Sequence, residues 1–195
     1  MQSLLMIVIA YLIGNFSAAY LVAKLSANID IRDHGSGNAG STNVLRTLGI
    51  KAGAMTFLGD SIKGVVAVLI GIYFGGEQLA FLAGIAVIIG HNWPILLKFK
   101  GGKGIATTIG VVLIIHPLSA LICILFGVII LYRYKYVSLA SVSAISILPI
   151  IMYFSLGSTY FLFALALAAM AIYRHRENIN RLMNGTERKI GQKSK

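Results

Sequence analysis

Acidic residues are scarce: six Asp and Glu stand against 17 Lys and Arg, so 195 residues carry a formal net charge of +11. Charged side chains of both signs make up only 12% of the chain, against about 25% in a typical soluble domain. Beside 57% hydrophobic residues and a mean hydropathy of +0.84, that shortage excludes intrinsic disorder. It also excludes a soluble globular domain, because a chain this size has too little interior to hide so much apolar surface. A single cysteine, Cys123, lies in an apolar run, which excludes a disulfide framework or Cys-based metal site and leaves a packing role. Four scattered His and six acids offer no ligand cluster, so no metal and no other cofactor is expected. What remains is an all-α integral membrane protein. Its basic excess reads as the flanking of membrane helices rather than nucleic-acid binding.

A bilayer core of about 30 Å takes about 20 apolar residues per helix. Seven segments qualify, some of them short: 4–23, 52–74, 79–97, 104–115, 118–132, 137–154 and 159–173. The opening run has no basic n-region and reads as a retained first span rather than a cleaved signal. The third segment is interrupted by Gly90-His91-Asn92-Trp93-Pro94, and the fourth is short, as helices lining a cavity can be. His116-Pro117 could instead kink one long helix from 104 to 132. With seven spans, however, Lys24, Arg32, Arg46, Lys51, Lys98, Lys100, Lys103, Arg133, Lys135 and all basic residues from Arg174 onward share one side. The positive-inside rule therefore selects seven transmembrane helices, with the N-terminus outside and the C-terminus cytoplasmic. Residues 1–195 form a single membrane domain without a visible repeat. In the tail, Ile179, Leu182 and Met183 lie opposite a polar face, as in a helix lying in the interface.

Three polar stretches fall on the cytoplasmic side, at 35–46, 90–108 and 174–187. The first is Gly35-Ser36-Gly37-Asn38-Ala39-Gly40-Ser41-Thr42-Asn43, followed by Val44-Leu45-Arg46. It matches G-x-G-x-x-G by letter but follows a membrane helix rather than a strand, so the dinucleotide reading fails. Glycines still let consecutive amides converge on an anion, and a following helix N-terminus adds positive potential. Ser36, Asn38, Ser41 and Asn43 add donors, and Arg46 can grip a phosphate bidentately. The bland alternative is a linker with Ser41 or Thr42 as N-cap. In the second stretch, Lys103 sits between Gly102 and Gly104 at the start of a helix, a cationic anion site. Leu97 stands where a Walker A loop needs glycine. In the third, His175, Asn178 and Arg181 share a helical face, and an ordinary basic stop would not need the His and Asn. Asp60 and Lys63, one turn apart in a span, either pair or serve the site. Ser138 and Ser141 open the sixth span on one face, as helix glue or as ligands.

GSGNAGSTNVLR, GHNWP…FKGGKGIAT and RHRENINRLMNGTE, in that order, resemble the three signature motifs of the bacterial membrane glycerol-3-phosphate acyltransferases that use acyl phosphate, the PlsY family. The resemblance spans essentially the whole chain, including YVSLAS at 136–141. It implies transfer of a fatty acyl group from acyl phosphate to the 1-position of sn-glycerol 3-phosphate. The products are lysophosphatidic acid and inorganic phosphate, in the first step of phospholipid biosynthesis at the bacterial inner membrane, with the active site facing the cytoplasm. It implies a functional link to the enzyme that makes acyl phosphate, contact with membrane lipid, and no obligate protein partner. His175, Asn178 and Ser36 are then the catalytic candidates. Gly35, Gly37, Asn38, Gly40, Thr42, Asn43, Arg46, Gly102, Lys103 and Ser141 are the substrate- and phosphate-binding candidates. Asp60, Lys63, His91 and Glu187 are supporting residues, Glu187 by ordering the C-terminal segment.

Acyl phosphate is a mixed anhydride with a good leaving group, so direct attack by the glycerol hydroxyl needs no Ser or Cys nucleophile. His175 or the substrate's own phosphate is expected to take the proton. Two other readings compete. A transporter or channel for a phosphorylated metabolite would account for the basic loops and Asp60–Lys63, but its polar groups belong near the midplane. A protein that merely recruits anionic lipid accounts for the charge and leaves the Gly, Asn and His content unexplained.

Overall fold

The computed structural model describes residues 2–192, and among them every regular element is a helix. Four stretches are long and apolar enough to cross a membrane: Gln2–Ala27, Ile50–Leu97, Pro117–Tyr134 and Val137–Leu156. Ile105–Ile115 and Ser158–Arg174 are shorter apolar helices. The described residues fall into two compact units, one ending at Ile115 and the other running His116–Gln192.

The first unit begins with α1 (Gln2–Asn15) and α2 (Ala18–Ala27). The expected single span at 4–23 is thus broken at Phe16-Ser17, where Ser17 caps α2 by accepting from the Tyr20 amide (3.2 Å). A short 3-10 turn, Ile31–Asp33, leads to α3 (Ser41–Leu48). The N-cap of α3 is Gly40, with no side-chain cap bond, so Ser41 and Thr42 lie inside the helix instead of capping it. Next comes α4 (Ile50–Asn92), 43 residues long and non-helical only at Gly75 and Gly76. There it doubles back: a Cβ on Gly71 would meet the Ala80 backbone at 2.6 Å, nine residues on and about 13 Å away in a straight helix. The expected interruption at Gly90 is corrected, since α4 stays helical through His91 and Asn92 and ends at Trp93-Pro94. Gly90, His91 and Asn92 are buried, so protein rather than lipid surrounds them.

Glycine sets how closely these helices approach. A Cβ on Gly14 would overlap the Val87 carbonyl, and the Gly90 Cα lies 2.9 Å from the same position. Gly110 likewise packs against the Ser61 carbonyl, joining α5 (Ile105–Ile115) to α4. Small residues let membrane helices come this near and gain dispersion contacts. Gly90→Val is expected to push α1 from α4 and cost about 1–3 kcal/mol by overpacking; thermal unfolding in detergent measures it.

The second unit holds α6 (Pro117–Tyr134), α7 (Val137–Leu156), α8 (Ser158–Arg174) and α9 (Arg176–Met183). His116 is extended (φ −151°, ψ 90°) and Pro117 opens α6, where its missing N–H costs nothing. This overturns the alternative of one kinked helix from 104 to 132. Ile145, Leu148 and Met152 of α7 are buried, as are Phe163, Ala164, Leu167, Ala168 and Ala171 of α8, and the two helices pack together.

Candidate active site

Asn43 organises the first polar loop from inside it. Its buried amide donates to the carbonyls of Ile31 (3.1 Å), His34 (2.9 Å) and Asn38 (3.1 Å), and its Oδ1 accepts from the Ser36 amide (2.9 Å). Gly35 and Gly37 adopt left-handed φ of +62° and +69°, and a Cβ on Gly35 would overlap Asn43 Oδ1. Glycine is needed there both for the turn and for the space. Asn43 thus frames the loop from within. The amides of Ser36, Gly37 and Gly40 also bond within the loop, the last two to His34 and Asn38 carbonyls. The Ser36 side chain stays exposed, Thr42 is half-buried on the first turn of α3, and Arg46 is half-buried on its last.

The second loop meets the first directly. Asn38 Nδ2 donates to the Gly101 carbonyl (3.2 Å) and Arg32 Nη1 to that of Leu97 (3.0 Å). Arg32 also pairs with Asp30 at 2.5 Å, and its guanidinium holds the Asp30 carboxyl below the usual range. Gly102 donates to the His91 carbonyl (3.1 Å), and a Cβ on Gly102 would overlap His91 Nε2. Half-buried Lys103 follows, and Gly104 at φ +83° leads into α5.

Asp60 and Lys63 do pair, at 2.9 Å, both almost wholly buried. Lys63 Nζ also reaches the carbonyls of Gly14 (3.1 Å) and Phe16 (2.8 Å) and lies 2.7 Å from His91 Nδ1. The two carbonyls belong to the break after α1, so the ammonium satisfies acceptors that the helix end leaves over.

In the second unit, Glu187 is the hub. Its carboxylate accepts from Ser138 Oγ (2.8 Å), Asn178 Nδ2 (2.8 Å) and Arg181 Nε (2.7 Å). Asn178 and Arg181 thus do share a face of α9. Ser138 makes the contact to Glu187, while Ser141 is only half-buried; the shared-face spacing identified both but did not rank them. Sequence reading also missed Asp30 and Tyr11, whose hydroxyl donates to the Trp93 carbonyl (2.9 Å). Neither carried a local signal. His175 is buried between α8 and α9, with Nδ1 2.7 Å from the Ala171 carbonyl. A carbonyl only accepts, so Nδ1 carries a proton, and in the neutral form of the ring the basic lone pair lies on Nε2.

Burial raises the Glu187 pKa, but the hydrogen bonds from Arg181, Asn178 and Ser138 outweigh it and hold the carboxyl below its ordinary 4.5. A depressed folded pKa contributes stability above the unfolded value and loses it as pH falls through the folded one. The thermal midpoint is therefore expected to drop on acidification below pH 4.5. Part of that drop should vanish in Glu187→Gln, as calorimetry or intrinsic fluorescence can follow.

Residues 4–185 match the family described as glycerol-3-phosphate acyltransferase. A glycerol-3-phosphate acyltransferase of Alkaliphilus metalliredigens is 65% identical over 194 residues, covering 100% of this chain and 99% of the relative. Two crystal structures of PlsY, an integral membrane glycerol 3-phosphate acyltransferase, are 38% identical and cover 98% of this chain and 96% of theirs. The glycerol 3-phosphate form superposes with a TM-score of 0.92 and the lysophosphatidic acid form with 0.91. With the family model, the curated relative and the solved structures all matching over nearly its whole length, the chain belongs to the PlsY family of integral membrane glycerol-3-phosphate acyltransferases.

Proposed function

We propose that this acyltransferase takes its acyl group from acyl phosphate and delivers it to the 1-position of sn-glycerol 3-phosphate, giving lysophosphatidic acid and inorganic phosphate. The observation that carries this reading is the joined pair of loops, where Asn38 and Gly101 hold the Arg46-bearing and Lys103-bearing segments together. Two cations beside glycine-shaped loops suit two phosphate-bearing substrates. The glycerol oxygen attacks the acyl carbon, the bond from that carbon to the phosphate oxygen breaks, and phosphate leaves. The hydroxyl proton passes straight to the departing phosphate, or first to His175 Nε2 and from there to phosphate, so the ester and hydrogen phosphate balance. In the first unit Arg46 and Lys103 bind phosphate, carried beside loops that Gly35, Gly37, Gly40 and Gly102 shape, with Ser36 and Thr42 as hydroxyl donors; in the second, Ser141 is a hydroxyl donor and Asn178 aligns the acceptor. Seven crossings, N-terminus outside, would put every motif at the cytoplasmic face of the inner membrane, within reach of acyl phosphate made by a partner pathway enzyme.

Direct transfer predicts that protein given acyl phosphate alone stays at its unmodified mass, and that added glycerol 3-phosphate yields lysophosphatidic acid. An acyl adduct on Ser36 or Ser141 in intact mass spectra would contradict it. Labelled glycerol 3-phosphate entering proteoliposomes without acyl donor would favour the transporter.

A further inference from the structure

We infer that the buried Asp60–Lys63–His91 cluster is a positioning device for the Lys103 loop, an inference that rests on Lys103 binding phosphate. Placing an ion pair in an apolar span is costly and demands near-complete partnering. The partners here connect three separated segments. Lys63 Nζ holds the carbonyls of Gly14 and Phe16 at the α1–α2 break, Asp60 Oδ1 at 2.9 Å and His91 Nδ1 at 2.7 Å. His91 Nδ1 is also 3.5 Å from Asp60 Oδ1. These contacts fix the imidazole plane, and its other edge, Nε2, fills the space that a side chain on residue 102 would take. The His91 carbonyl meanwhile accepts from the Gly102 amide (3.1 Å). Ring and carbonyl thus meet the backbone one residue before Lys103. A pair that served stability alone would need neither the imidazole nor a glycine against it.

The test uses the purified full chain in lipid nanodiscs, with KM and kcat for both phosphate-bearing substrates. Lys63→Met and His91→Asn are each expected to raise KM about tenfold for the substrate whose KM rises in Lys103→Ala, with kcat held within about threefold. His91→Asn keeps an acceptor for Lys63, so its thermal midpoint stays near that of the parent. Because the cluster acts through the loop, Lys63→Met combined with Lys103→Ala should be little worse than Lys103→Ala alone. Unchanged KM in folded His91→Asn, a multiplicative double variant, or loss of fold in His91→Asn would each overturn the inference. Calorimetric titration with glycerol 3-phosphate separates the two readings. Wild-type binding weakened by His91→Asn supports positioning even if no acyl transfer is seen, and absent transfer alone counts against the proposed function.

Discussion

Arg46→Ala and Lys103→Ala are each expected to lose about ten- to a hundredfold in kcat/KM while remaining folded. The magnitude follows from removing a charge-assisted phosphate contact, worth about 1.5–3 kcal/mol. Arg46 projects from the last turn of α3, a helix whose entry loop is framed by Asn43. Both residues are half-buried, so truncation is expected to leave no large core cavity, and the loss falls on substrate rather than on folding. Arg46→Lys should recover only part of the activity, because an ammonium cannot reproduce the bidentate guanidinium geometry. Near-normal turnover in either alanine variant would remove that residue from the phosphate site.

Glu187→Ala is the second large effect, and it falls on stability. Ser138 and Asn178 are buried donors whose shared acceptor is this carboxylate. Removing it leaves both to be satisfied in a dry site, at about 1–3 kcal/mol each. Arg181 is partly exposed and recovers water, so it adds little. The expected result is a lower thermal midpoint together with lost activity, since Asn178 loses its anchor. Glu187→Gln keeps a carbonyl acceptor and should fall between the two. A Glu187→Ala protein with unchanged midpoint would contradict the hub.

Much of this was legible before the structure because hydropathy and glycine report local physics. The span expected at 137–154 follows from the length of its apolar run, and the separation at His116-Pro117 from the placement of the basic residues on one side. The Asp60–Lys63 pairing was one of two open readings, and helical spacing named it. Its remaining partners were out of reach: the Gly14 and Phe16 carbonyls belong to a helix break inside a segment that hydropathy reads as one span, and His91 is 28 residues from Lys63. Asn43 shows the same limit from the other side. An Asn in a Gly-rich loop reads as a ligand donor, yet it faces three backbone carbonyls that the loop itself presents, and only the folded turn reveals that. Helix α4 ran on through His91 and Asn92 because those polar residues are enclosed by protein, which a hydropathy window cannot distinguish from lipid.

The central claim is direct acyl transfer from acyl phosphate, and its most direct measurement follows inorganic phosphate and lysophosphatidic acid together. Purified protein, long-chain acyl phosphate and sn-glycerol 3-phosphate should give the two products in equal amounts, with none when acyl-CoA replaces acyl phosphate. Phosphate released without acylated glycerol 3-phosphate, or equal turnover from acyl-CoA, would contradict it.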